Sequence, residues 1–259
     1  MQDIQKEIQQ ELDTIEKQCN VRILLAVESG SRAWGFASPD SDYDVRVIYV
    51  QDRNAYLSID EPKDVINWKL DEFLDINGWD LKKVLLAIAK SNPNLLEWLN
   101  SPIIYRQSEN LKLLKDLSVR YFSKKTAVCH YYGIANSTYY GYLQNDEVKY
   151  KKYFYALRPL LCCRWIERYD EMPPVKFSEL MKLFDENDDA LTNELHLAIN
   201  DLLVKKAATK ETDLNPQIPA IIDFISKECD YQKVVSSEMP DDHCRDHAAL
   251  NDAFCKIIG

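Results

Sequence analysis

Apolar residues recur at Ile4, Ile8, Leu12 and Ile15, the spacing of one helix face, and predict a helix over residues 2–19 that Asn20 closes. The run over residues 21–29 is short, largely apolar and rich in branched side chains, which predicts a buried strand. Residues 42–50 alternate, with Tyr43, Val45, Val47 and Tyr49 on one face, and predict a second strand. Asp64–Trp68 and Asp71–Asn77 read as two more. Asp80 caps a helix over residues 81–91, because its carboxylate can accept from the free N–H groups of a first turn. Pro93 stands where a proline opens the next helix. Beyond residue 108 the strand signal fades. Residues 109–122, 124–144, 148–169, 177–187, 190–208 and 217–229 read as helices, interrupted by Pro173-Pro174, Asn187-Asp188-Asp189 and Asn215-Pro216. The last 25 residues carry no clear pattern. The expectation is an α+β chain, with a mixed αβ domain over residues 1–107 and an all-helical domain over residues 108–259.

The densest chemistry lies between the first two strands, in the loop Gly30-Ser31-Arg32-Ala33-Trp34-Gly35-Phe36-Ala37-Ser38-Pro39-Asp40-Ser41 and the Asp42-Tyr43-Asp44 that follows it. Gly30 lets the backbone turn and approach a ligand closely. The N–H groups of Gly30 and Ser31, the Ser31 hydroxyl and the Arg32 guanidinium can together face an anion, and Ser41 is a further candidate at the far end of the loop. On a strand Asp42 and Asp44 share one face. Two neighbouring carboxylates repel unless a cation sits between them, and magnesium is bound by one or two carboxylates together with substrate phosphates. The pattern therefore predicts a site for a metal–nucleotide complex, with Asp42 and Asp44 as metal ligands. Asp75, which alternates with Leu74 and Ile76, is the candidate third carboxylate, able to bind metal and to help take a proton from an attacking hydroxyl. Asp71 and Asp64 compete with it, while Asp80 is more simply a helix cap. The bland reading is a solvated strand end after an ordinary turn.

Composition narrows the partners. A net charge of −10 argues against a protein that coats nucleic acid by bulk electrostatics, though not against a local basic site. Lys151, Lys152 and Arg158, interleaved with Tyr153 and Tyr155, form such a patch, fit either to grip a triphosphate or an RNA phosphate or to serve as a solvated helix face. Trp34 either stacks on a base or packs in the core. Seven scattered cysteines read as reduced thiols in a cytoplasmic chain. His243-Cys244-x-x-His247 is a weak zinc signal without a second well-spaced cysteine pair. No apolar run approaches the roughly 18 residues that span a bilayer, and the charged N-terminus lacks a signal-peptide core.

At Gly30-Ser31 and Asp42-Tyr43-Asp44 the sequence resembles the DNA polymerase β-like nucleotidyltransferase superfamily. ESGSRAWGFASPDSDYDVRVIYV, LDINGWDLKK, AIAKSNPNLLEWLNSPIIY and KKYFYALRPLLCCRWIE are similar, more narrowly, to predicted nucleotidyltransferases found beside RNA ligases, over residues 21–175. The resemblance implies a small mixed sheet with flanking helices, followed by a helical domain. It implies transfer of a nucleoside monophosphate from an NTP to an acceptor hydroxyl, with pyrophosphate leaving. Gly30 and Ser31 would hold the β- and γ-phosphates, Asp42 and Asp44 would bind Mg2+, and Asp75 would be the third acid. The implied acceptor is an RNA end, that of a tRNA included. A protein or small-molecule acceptor, as in AMPylation, and an inactive nucleotide-binding module are the alternatives.

Overall fold

The computed structural model describes residues 2–38, 40–70, 73–185, 188–208 and 213–259. The chain begins with α1 (Gln2–Cys19), β1 (Val21–Glu28), α2 (Gly30–Trp34), β2 (Tyr43–Gln51) and α3 (Arg53–Tyr56). It continues through β3 (Val65–Leu70), β4 (Leu74–Asp80), α4 (Leu81–Ala89), α5 (Pro93–Leu99), β5 (Ile104–Gln107) and α6 (Leu111–Arg120). Then come α7 (Lys124–Tyr142), β6 (Glu147–Lys149), α8 (Tyr150–Tyr169), α9 (Phe177–Leu180) and a 3-10 turn over Met181–Asp185. The last elements are α10 (Asn193–Ala208), β7 (Leu214–Pro216), α11 (Pro219–Glu238) and α12 (Ala248–Ile258). The fold is mixed α+β. No helix among the described residues is long and apolar enough to cross a membrane.

Contacts divide the chain into two compact units, one of residues 1–33, 42–122 and 243–259, the other of residues 34–41 and 123–242. The boundary thus falls at 122/123 rather than 107/108. The C-terminal segment returns to the first unit, and the loop after the Gly-Ser turn is counted with the helices.

In the first unit five strands form one sheet in the order β3-β4-β2-β1-β5. β2 and β4 run parallel and the other neighbours antiparallel, so the sheet is mixed. One face packs Ile23, Ala26, Val45, Val47, Leu74 and Ile76 against the α1 stripe. The other packs Leu24, Leu25, Val27, Ile48 and Val50 against α4, α5, α6 and α12. Leu24 and Leu25 reach the same core because the β1–β2 register shifts between Ile23 and Leu25, a bulge that the unbroken apolar run conceals. Asp80 caps α4 by accepting from the Lys82 N–H at 2.8 Å, and Asn92 caps α5 through Leu95 N–H.

Several boundaries moved. β4 begins at Leu74, not Asp71, and pairs with both β2 and β3; Asp71 itself lies outside the described residues. β5 had no prediction. It is four residues long and held by pairing with β1. The helix expected over 177–187 becomes a single α-turn and a 3-10 turn, residues 186 and 187 lying outside the described residues. The one expected to end at 229 continues to Glu238.

The helical unit carries a buried ionic network. Arg164 donates Nε and Nη2 to the two oxygens of Glu228 at 2.7 and 2.6 Å, and Gln232 Nε2 donates to Glu228 at 2.8 Å. Glu228 is buried, so stripping its carboxylate leaves the Arg164 charge with Asp188 alone, a longer and more exposed contact at 3.2 Å. Glu228→Ala is expected to destabilise the protein by about 3–5 kcal/mol in urea denaturation, and Glu228→Gln by less. A loss below about 1 kcal/mol for the alanine variant would show the network to be inert.

Candidate active site

The end of β1 and the start of β2 are knitted together. The Ser29 N–H donates to the Asp44 carbonyl at 2.8 Å, and the Tyr43 N–H donates to the Phe73 carbonyl at 2.9 Å. Gly30 follows in the left-handed region, at φ 62°. A Cβ at this position would lie well under 3.0 Å from Asp44 Oδ2 and 3.2 Å from Asp44 Cγ. Glycine is required here twice over: for the backbone conformation, and because the Asp44 carboxylate fills the space a side chain would take.

Parallel pairing of β2 with β4 sets Asp44 opposite Asp75. Their carboxylates are joined through one group, Arg46 Nη2, which donates to Asp44 Oδ1 at 2.9 Å and to Asp75 Oδ2 at 2.8 Å. Arg46 Nη1 donates to the Val45 and Asp75 carbonyls at 3.2 and 3.3 Å. Side-chain exposures of 17% for Arg46, 25% for Asp44 and 23% for Asp75 make this a half-buried cluster, partly shielded from water. Burial is the largest cause that raises the Asp44 carboxyl above its ordinary value. The Arg46 charge opposes it, and the Asp42 and Asp75 charges add to it.

Asp42 sits one residue ahead of β2 and is exposed. Its carbonyl accepts from Arg32 Nε at 2.9 Å, and the Arg32 guanidinium lies 3.7 Å over the Tyr43 ring, bracing the two ends of the loop. The competitor Asp64 pairs with Lys83 at 2.8 Å and is mostly exposed.

Among the described residues no three His, Cys, Asp or Glu side chains converge as a ready metal-binding set. The cation between Asp44 and Asp75 is the Arg46 guanidinium. The chemistry of the donors nevertheless suits a hard divalent cation. Asp44 Oδ1 and Asp75 Oδ2 bond Arg46, leaving the second oxygen of each, and the Asp42 carboxylate, outside that contact. Three carboxylates and one guanidinium also leave a net charge that a divalent ion would balance.

Glu28, the last residue of β1, was not among the candidates named from the sequence. It is fully buried, and its Oε1 accepts from the Asp44 N–H at 2.9 Å while Oε2 accepts from the Tyr105 hydroxyl on β5. Burial raises its carboxyl above the usual range, and the hydroxyl and N–H it accepts from pull the other way. An acid that closes an apolar strand was the available signal. Ser31 follows Gly30 in α2 and is half-buried.

The remaining candidates belong to the helical unit. Ser41 is buried, its Oγ accepting from the Ser38 N–H at 3.0 Å. It shapes its own loop, as does Lys206 of α10, a residue sequence reasoning missed. The buried Lys206 ammonium donates to the Phe36 carbonyl at 2.8 Å and to Ser38 Oγ at 3.1 Å. Phe36 stacks on Phe154, and Trp34 packs among Phe36, Tyr155 and Arg158. Arg158 is buried, over Trp34 and donating to the Val175 carbonyl, so here it is a core residue rather than part of a solvated basic face. Lys152 lies 3.6 Å over the Tyr142 ring, with its ammonium lowered by burial and by Lys151 and Lys149, while Lys151 is half-buried. His243, which lies in the first unit, bonds the Ala89 carbonyl at 2.7 Å, and among the described residues it joins no group of three His, Cys, Asp or Glu side chains placed to hold a metal.

A protein of Bacillus subtilis (strain 168) named Uncharacterized protein YcgL is 45% identical over 219 residues, which cover 84% of this chain and 82% of the relative. A nucleotidyltransferase-like protein from Exiguobacterium sibiricum 255-15, known from a crystal structure, aligns over 88% of this chain and 76% of its own, with 15% identity and a TM-score of 0.31. Residues 4–256 match the RNA repair pathway DNA polymerase beta family. With that match spanning nearly the whole sequence, the chain belongs to this family and is a polymerase β-like nucleotidyltransferase.

Proposed function

We propose that this protein is a magnesium-dependent enzyme that transfers a nucleoside monophosphate from an NTP to a hydroxyl at an RNA end. The observation that carries the reading is the contact between the Gly30 turn and the Asp44 carboxylate, which puts a close-approach backbone turn against an acid paired in register with Asp75. Asp42, Asp44 and Asp75 would hold Mg2+, and Gly30 and Ser31 the triphosphate, with Arg32 beside them. Bound Mg2+ supplies Lewis-acid stabilisation of the charge that develops on the phosphates. Glu28 fixes the Asp44 main chain, and a free carboxylate oxygen of the cluster is available to accept the proton of the attacking hydroxyl. In the transfer the acceptor oxygen bonds to the α-phosphorus, the bond from that phosphorus to the bridging oxygen breaks, and pyrophosphate leaves.

The net charge of −10 favours a second reading, in which the acceptor is a protein hydroxyl. Incubation with each α-³²P NTP, Mg2+ and either RNA or cell extract separates the two. Labelled RNA supports the first, ribonuclease-resistant labelled protein the second, and label in neither fraction with no pyrophosphate released would defeat both.

A further inference from the structure

We propose that Arg46 is a positioning residue, a resident cation that holds Asp44 and Asp75 together and keeps the site from filling with a divalent ion until the nucleotide arrives. The inference rests on the reading of the three aspartates as the metal site.

The geometry is specific. Arg46 stands two residues after Asp44 on the same strand face, and its Nη2 donates one hydrogen to each carboxylate. Nη1, directed at the Val45 and Asp75 carbonyls, fixes the plane of the guanidinium. A planar fork with several donors can satisfy four acceptors in this way, where a lysine ammonium has three hydrogens and no fixed plane.

Two consequences follow. The acid pair is drawn together before any ligand binds, so less reorganisation remains for the reaction. The same positive charge repels a divalent ion arriving alone, while the negative triphosphate offsets it. Metal and nucleotide should therefore bind with positive coupling, each strengthening the other. Removing the charge reverses the first half of that balance: free metal should bind more tightly, although the transfer reaction is weakened. A residue with a purely structural role gives the opposite sign, because a disordered site binds metal less well.

The test is a calorimetric titration of MnCl2 into the full chain without nucleotide, for wild type, Arg46→Gln, Arg46→Met and Arg46→Lys, repeated with a non-hydrolysable ATP analogue. The glutamine and methionine variants are expected to bind Mn2+ at least about tenfold more tightly than wild type without nucleotide, and to lose most of the tightening that the analogue brings. Arg46→Lys keeps the charge and loses the fork, so it should retain the weak metal affinity of wild type while its kcat falls. Should one neutral variant misfold, the other and Arg46→Lys decide the matter. Equal or weaker Mn2+ binding in a folded neutral variant overturns the role given to Arg46. Asp44→Asn locates such a failure: if Mn2+ binding in the presence of the analogue does not depend on Asp44, the metal-site reading itself has failed, whereas if it does, only the role of Arg46 has.

Discussion

Asp44→Asn should leave a folded protein that no longer transfers label from an α-³²P NTP, with activity down by at least about a hundredfold to a thousandfold. In metal-free buffer at neutral pH its midpoint of thermal unfolding should equal or exceed that of wild type. The sign follows from burial. The Asp44 carboxyl is raised above its unfolded value of about 3.8, so folding favours its protonated form. That contribution to stability is complete below the unfolded value and is lost as pH rises through the folded one. At neutral pH the charged wild-type group therefore carries a cost, and asparagine, which can still accept from Arg46, does not. Mg2+ added together with a non-hydrolysable ATP analogue should invert the order: the pair raises the wild-type midpoint by stabilising the native state through binding, and raises that of Asp44→Asn much less. Full activity in the variant, or a midpoint several degrees below wild type in metal-free buffer, would contradict this account.

Gly30→Ala is expected to be nearly as damaging to activity, by another route. A side chain in the left-handed region costs about 1–3 kcal/mol, and here the added methyl also meets the Asp44 carboxylate. Either Asp44 moves or the turn does, and both disturb the site. Gly35→Ala separates the two terms. Gly35 has φ 87°, but a Cβ there finds nothing within 4 Å, so it should lose stability of the same order and keep its activity. Steady-state kinetics and thermal unfolding of both variants decide the point: if Gly30→Ala turns over as Gly35→Ala does, the contact with Asp44 is immaterial.

The local elements and the main acids were legible because each depends on neighbours in sequence. The α1 stripe, the alternation of β2, the Asp80 cap and the order Gly30-Ser31, Asp42, Asp44 all repeat over a few residues. Arg46 was not singled out, although it lies two places beyond Asp44 on the same face, because nothing in the chain says that Asp75 will stand opposite. β5 was missed because four half-exposed residues have little apolar pattern of their own and owe their form to pairing with β1.

The sequence by itself determined the family, the α+β class and the acids on which the chemistry is proposed to turn, since helix and strand periods and short motif spacings are local properties of the chain. Tertiary structure alone decided that α12 closes the core of the first unit, that Glu28 and Tyr105 brace Asp44, that Lys206 and Arg158 are buried cations, and that Arg46 bridges two carboxylates. Each of these joins residues far apart in sequence or sets the burial of a charge, and the solvation and pairing of a charge depend on what the fold brings beside it.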